Sequence, residues 1–216
     1  MSNVKPKLLD LYCKAGGASM GYCKAGFDVT GIDITNQKKY PFTFIKADVK
    51  DILRDHKFLK SFDAIVASPP CQLFSQTKHL RDSQGRDTKK INMIPETIEG
   101  LMMSGKPWIV ENVPGAPLDN PVQICGSAFG MRIRRHRVFQ SNVHLVGTSC
   151  YHEDQTRVVG VYGQINDKIP GGGHTAKSLQ EGREVMGIDW MPWTSLVEAV
   201  PPNYTEYLGK QLVRFV

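Results

Sequence analysis

Five short apolar runs, KLLDLY, FDVTGIDI, FTFIKADV, FDAIVAS and PWIVENV, follow one another through the first half of the chain, separated by turn-rich or helix-compatible stretches such as GASMGYCKAGF. Each run has the length of a strand and ends in a loop rich in Gly, Asp, Pro or Cys. Parallel neighbours in a sheet need a crossover between them, so this alternation predicts an α/β fold with a mostly parallel sheet. Ligands of such sheets bind beyond the carboxyl ends of the strands, where these loops converge. The chemistry is therefore expected at that edge, and 216 residues leave room for one principal domain with one site.

The pattern changes near residue 140. From Gln140 to Gln180 the chain reads as short β-like runs, VHLV and RVVGVYG, between polar turns, with a Pro-Gly-Gly-Gly loop at 170–173. This region is expected to be a small insert, dividing a main domain of residues 1–139 and 181–216. Regular structure resumes at EGREVMG. The last segment, YTEYLGKQLVRFV, places Tyr204, Tyr207, Leu208 and Leu212 on one helix face, which is expected to pack back on the main domain.

No stretch supplies the roughly 20 apolar residues that span a bilayer, and MSNVKPKLLDLY lacks the features of a secretory signal, so a cytoplasmic protein without a membrane partner is expected. The five cysteines, at 13, 23, 71, 125 and 150, contain no CxxC pair. Reduced thiols follow, and no disulfide framework or structural zinc site is expected. Cys150 and His152 lie close in sequence, but two ligand types without a second pair fall short of a metal site. The net charge of +6 favours a polyanionic partner. Its distribution adds weight, because Lys78, His79, Arg81, Arg86, Lys89 and Lys90 crowd one stretch and Arg132, Arg134, Arg135, His136 and Arg137 another.

Five strand ends at the expected edge carry chemistry. Gly16 and Gly17 follow the first strand and permit either a tight turn or close approach to a ligand. Asp33 ends the second strand, where nucleoside sites place an acceptor for ribose hydroxyls, and Asp48 closes the third, suited to an amino group. Cys71 follows the fourth strand on a loop stiffened by Pro69 and Pro70, and Glu111 ends the fifth. A thiolate that adds to an electrophilic ring, with a carboxylic acid to polarise that ring, makes a covalent mechanism available.

In order and wording these segments resemble the cytosine carbon-5 DNA methyltransferases, short phage-encoded members in particular. The resemblance rests on DLYCKAGGASMG, GIDI, ADVKD, SPPCQLFS, ENVPG, RIRRHRVF, REVMGID and EAVPP, and it runs over nearly the whole chain. It implies a Rossmann-like methyltransferase fold, S-adenosyl-L-methionine as cofactor, DNA as partner, no obligate protein partner and a reduced target-recognition insert at 140–180. By the same transfer Cys71 would attack carbon-6 of a flipped-out cytosine and Glu111 would hold ring nitrogen-3, with Arg135 near the ring and Arg137 organising the site. Tyr12, Gly16, Gly17, Asp33, Ile34, Asp48, Val49 and Pro70 would form the cofactor pocket. Gln72, Ser75 and Thr77 would contact DNA, joined by Lys89 and Lys90 of the basic loop.

Three positions depart from the family pattern: Lys14 replaces a glycine, Ile133 a glutamine and Glu198 an asparagine. Lys14 and Glu198 both bear on the methionine end of the cofactor and are expected to compensate each other as an ion pair. The reduced insert predicts a short or relaxed target sequence, since fewer residues are available to read base edges. RNA or free-nucleotide methylation, and an idle DNA-binding scaffold, are the competing readings.

Overall fold

A computed structural model describes residues 4–71, 73–74, 91–168 and 174–216. All five apolar runs form strands: β1 (Lys7–Leu11), β2 (Asp28–Asp33), β3 (Thr43–Lys46), β4 (Ala64–Ala67) and β5 (Trp108–Asn112). They pair in parallel in the order β3-β2-β1-β4-β5. The sheet continues through β7 (Arg137–Ser141) to β6 (Val122–Ile124), both pairings of β7 being antiparallel. β1 lies centrally, and Leu8, Leu9 and Leu11 are fully buried. A strand covered on both faces has no solvent side, which is why KLLDL reads as a run and not as an alternation.

Successive residues of each strand point to opposite faces. Leu8, Val29, Val66 and Ile109 enter one core, together with Tyr22 and Phe27 from the region of helix α1 (Gly17–Lys24). Leu9, Leu11, Ile32, Ile65 and Val110 enter the other, against α2 (Val49–Arg54), α3 (His56–Lys60) and α4 (Ile94–Ser104) through Val49, Leu53, Leu59 and Leu101. A third cluster joins Ile133, Val159, Val161 and Ala176 to Val185, Met186 and Ile188 of and after α5 (Leu179–Met186). Its strands are the two-residue β8 (Val159–Gly160) and β9 (His174–Thr175). The short α6 (Trp193–Leu196) and the final helix α7 (Pro202–Leu212) complete the chain.

As expected, α7 packs on the main domain, with Tyr204, Leu208 and Leu212 fully buried and Tyr207 partly so. It crosses α1 closely: the Thr205 hydroxyl donates to the Ala18 carbonyl at 2.9 Å. A Cβ added at Gly21 would stand 2.2 Å from the Pro202 carbonyl oxygen and 2.6 Å from the Glu206 nitrogen, so only glycine allows this approach. One charge-bearing side chain enters the core of β1. Asp10 is 1% exposed and accepts from the Ser19 hydroxyl, which in turn accepts from Tyr40 at 2.9 Å. Burial, beyond what the Ser19 bond offsets, pushes its carboxyl up to about 7.

Within the expected insert, VHLV (143–146) is not a strand. Only Leu145 of that run is buried, and the chain is tied to β6 by the Thr148 N–H on the Gln123 carbonyl at 2.9 Å. The Val146 N–H meets the Gln211 side chain of α7 at 2.8 Å. Side chain and loop partners take the place of a ladder there. Among the described residues no helix is long and apolar enough to cross a membrane.

The α1–α7 crossing yields a stability test. Gly21→Ala should destabilise the protein by about 1–3 kcal/mol, the usual range for overpacking against rigid backbone, read from the midpoint of urea unfolding.

Candidate active site

The carboxyl ends of β1, β2, β4 and β5 converge on one edge, and four loops meet there. The loop after β1 bends sharply: Tyr12, Lys14 and Gly16 all have positive φ, at 61°, 45° and 84°. Two of these are residues with a Cβ, for which the left-handed region is unfavourable, so neighbouring contacts hold the loop. The Tyr12 hydroxyl pairs with Thr97 Oγ1 at 3.0 Å. The Asp33 carboxylate accepts from the Lys14 N–H at 3.1 Å and the Thr35 N–H at 2.8 Å. Asp33 thereby fastens the first loop to the end of β2.

A cleft of about 260 Å3 opens beside this junction, lined by Lys14, Asp33, Thr35, Gln37, Thr194, Ser195 and Glu198. Lys14 Nζ lies 2.5 Å from Glu198 Oε2, so the two departures from the family pattern do form the anticipated pair. Both side chains are nearly half exposed, and a pair in that setting adds little to stability. Its consequence is local: one cation and one anion stand together at the mouth of the cleft.

Beneath this edge, β4 and β5 are parallel neighbours, with Ala67 opposite Val110. The register carries Cys71, four residues past β4, and Glu111 near the end of β5 to the same place. Asn112 secures the junction, donating from Nδ2 to the Pro69 carbonyl at 3.0 Å while its Oδ1 accepts from the Val113 N–H at 2.9 Å. Both partners of this buried amide are backbone groups of the two loops that carry the thiol and the carboxyl. In the sequence Asn112 is visible only as part of ENVPG; the signal there is a polar residue inside a buried run.

Glu111 is bound by Arg137, whose Nε lies 2.9 Å from Glu111 Oε1, each side chain being 12% exposed. Burial raises the Glu111 carboxyl, and Arg137, a hydrogen bond from Ser68 and Arg135 draw it down. The Cys71 thiol is raised by burial and then by the Glu111 charge, while Arg137 and Lys14 lower it. The thiol senses the Glu111 charge, which favours its protonated form. Arg135 is occupied elsewhere, its two Nη atoms donating to the carbonyls of Val161 at 2.9 Å and Val197 at 2.5 Å. Burial and Arg137 pull its guanidinium down to about 9, and its buried Nε has no hydrogen-bond partner among the described residues.

The remaining expected residues divide. Ile34 is 63% exposed beside Asp33, and Pro70 is partly buried before Cys71. Val49 is 3% exposed, and its side chain belongs to the core under α2. Asp48 caps α2, accepting the Lys50 N–H at 2.9 Å, so its carboxylate already has a structural partner. Gly16 and Gly17 have packing reasons of their own: a Cβ would meet the Tyr40 ring at 3.0 Å in the first case and the Val200 carbonyl at 2.7 Å in the second. Gln72, Ser75, Thr77, Lys89 and Lys90 lie outside the described residues. Ile133 is buried in the third cluster, a place where an apolar residue needs no partner. No metal site was expected from sequence spacing, yet the fold gathers Cys125, His136, Cys150 and His152 at one point.

A seven-stranded sheet in this order, with a thiol, a carboxyl and a polar cleft along its carboxyl edge, defines a methyltransferase-like α/β fold. The family model for C-5 cytosine-specific DNA methylase matches residues 6–119, and the chain belongs to that family. Over 117 residues it is 32% identical to the Type II methyltransferase M.FnuDI of Fusobacterium nucleatum, covering 50% of this chain and 33% of that relative. Over 122 residues it is 26% identical to the Type II methyltransferase M.HgiGI of Herpetosiphon aurantiacus, covering 52% of this chain and 94% of that one. The match thus spans about a third of the first relative's length and nearly all of the second's. The fold is shared with S. pombe Dnmt2 methyltransferase (TM-score 0.60, 12% identity, 98% of this chain and 99% of that one). It is shared also with the Entamoeba histolytica methyltransferase EhMeth (TM-score 0.59, 12% identity, 98% of both chains).

The influence of Glu111 on Cys71 is measurable without substrate. Alkylation of Cys71 by iodoacetamide, followed by mass analysis of its peptide against pH, should give a midpoint above the ordinary thiol range. Glu111→Gln removes a negative charge that disfavours the thiolate and should lower that midpoint; Arg137→Met removes a positive one and should raise it. Identical midpoints in all three proteins would show that the groups do not interact.

Proposed function

We propose that this chain transfers a methyl group to carbon-5 of cytosine in DNA through a covalent adduct on Cys71. The observation that carries the reading is the pairing of a thiol and an arginine-bound carboxyl on adjacent parallel strand ends, in a chain of this family. S-adenosyl-L-methionine, when bound, supplies the electrophilic methyl group. The cleft has the donor set for such a molecule. Asp33 has carboxylate lone pairs for ribose hydroxyls beyond those engaged by Lys14 and Thr35, and Ile34 presents apolar surface next to it. Lys14 and Glu198 present opposite charges to an amino-acid end that itself carries both.

On the protein side, the Cys71 thiolate adds to carbon-6 of the ring, forming a C–S bond. Glu111, its carboxyl raised by burial, keeps a proton on ring nitrogen-3, so the added electron pair develops on carbon-5. Arg137 fixes the orientation of that carboxyl, and Asn112 fixes the loop that carries the thiol. After carbon-5 is methylated its proton passes to solvent, the electron pair of that C–H bond restores the 5,6 double bond, and the C–S bond breaks to return the Cys71 thiolate. The base must leave the helix stack to reach a thiol at this edge, at a cost of a few kcal/mol. Phosphate contacts from the basic loop, with Gln72, Ser75, Thr77, Lys89 and Lys90, offset that cost. Arg135 acts here as a positioning residue, since it braces Val161 of the insert against Val197. The same reading implies a cytoplasmic protein, in a bacterial cell or a phage-infected host, where DNA is accessible.

A DNA duplex containing 5-fluorocytosine blocks release of the adduct and should become covalently attached to Cys71 in the presence of cofactor. Cys71→Ala should abolish both trapping and 5-methylcytosine formation, and Glu111→Gln should slow the chemical step by about 10²–10⁴-fold. Methylation retained by Cys71→Ala, or trapping on RNA in place of DNA, would overturn the mechanism or the substrate respectively. Calorimetry on Asp33→Ala should show cofactor binding weakened by about 10- to 100-fold, the loss expected for hydrogen bonds to a charged acceptor.

A further inference from the structure

Outside the active edge, four side chains from three separate segments meet at one point. The donor atoms of Cys125, His136, Cys150 and His152 all lie within 4.8 Å of one another. Cys125 Sγ is 3.3 Å from His152 Nε2, and His136 Nε2 is 3.3 Å from Cys150 Sγ. A tetrahedral zinc ion with Zn–N near 2.0 Å and Zn–S near 2.3 Å has edges of roughly 3.3–3.8 Å between its ligand atoms. The observed S···N separations fall on that scale.

Strand register explains the first two ligands. β6 and β7 pair antiparallel with Ile124 opposite Arg137, so the next pair outward is Cys125 opposite His136. Directly opposed residues hold their Cβ atoms about 4.5–5.5 Å apart. The other two ligands arrive on the chain after β7, which is held beside β6 by the Thr148 N–H on the Gln123 carbonyl and by Thr148 Oγ1, which accepts the Cys125 N–H at 3.2 Å. Cys150 and His152 are two residues apart, the spacing that puts side chains on one face of an extended chain.

The surroundings are those of a ligand set. The Ser127 hydroxyl donates to Cys125 Sγ at 3.1 Å, and Arg134 donates to the His152 carbonyl at 2.9 Å and to Gln155 Oε1 at 2.9 Å. Such partners orient ligands and balance thiolate charge. We propose that Cys125, His136, Cys150 and His152 bind one zinc ion as a structural Cys2His2 site. Two sulfurs and two imidazole nitrogens suit zinc, and four protein ligands leave no open position for substrate or water, so the ion is structural and not catalytic. Binding replaces the two thiol protons, which pass to solvent. The ion fastens the irregular segment at 148–155 to the β6–β7 edge, in a region whose own strands have only two residues each.

Metal analysis of the full chain, purified under reducing conditions without a metal-affinity step, should find about one zinc per molecule, falling below about a tenth in Cys125→Ser and Cys150→Ser but retained in Cys23→Ser. Cobalt(II) added to chelator-treated protein should give the visible absorption of a tetrahedral thiolate complex, and that of Cys150→Ser should not. If a cysteine variant fails to fold, a mercurial titration of the unmodified protein decides the matter, since zinc should be released in step with two thiols. A folded, reduced protein that takes up no zinc after incubation and dialysis would overturn the proposal. So would zinc unaffected by Cys150→Ser, or a Cys125–Cys150 disulfide in place of metal. Each readout is independent of methyl transfer, so failure of the active-site reading leaves this test standing.

Discussion

The parallel pairing of β4 with β5 is the constraint on which the active edge depends. It brings together two loops from distant parts of the sequence, one ending in a thiol and the other beginning with a carboxyl. Strand pairing alone fixes backbone ends to within a few ångströms; the buried Asn112 amide narrows that further by joining the Pro69 carbonyl to its own loop. A buried amide left without those partners costs free energy, so the geometry that serves the site is also the geometry that satisfies the core.

Arg137 extends the same logic to the neighbouring strand. Because β7 is antiparallel to β5, its first residue lies at the carboxyl edge of the parallel strands, one pair beyond Asn112 and Val138. An arginine at the start of β7 therefore faces Glu111, while Arg135, two residues earlier, has left the sheet and reaches the carbonyls of Val161 and Val197. A parallel β7 would have sent both arginines to the opposite end of the sheet. The antiparallel reversal is thus part of how one short basic segment serves both the Glu111 carboxylate and the carbonyls of Val161 and Val197.

Much of this was legible in the sequence for a definite reason. Strands buried on both faces have a strong local signature, so β1 to β5 and the residues at their ends could be placed, as could the Lys14–Glu198 pair from two coupled departures. What escaped depends on long-range register. The insertion of β7 between β5 and β6 follows no sequential order. The 143–146 run looks like a strand but satisfies its backbone through Gln211 and its connection to β6. In the expected cofactor segment the sequence does not show that Asp48 also caps α2 or that the Val49 side chain packs in the core. The Cys125, His136, Cys150 and His152 group is scattered over 28 residues with no repeated spacing, and only the β6–β7 register assembles it.

The crossing of α1 and α7 has a consequence for how the chain reaches this structure. Tyr22 and Phe27, near the first helix, share one core with Tyr204, Leu208 and Leu212 of the last. One face of the sheet therefore stays only partly covered, by α1, until residues 202–212 have been synthesised, however early β1 to β5 form. Contacts so far apart in sequence slow folding and leave apolar surface exposed in the interval. During translation, the segment that carries Cys71 and Glu111 gains its full cover only after residues 202–212 have left the ribosome.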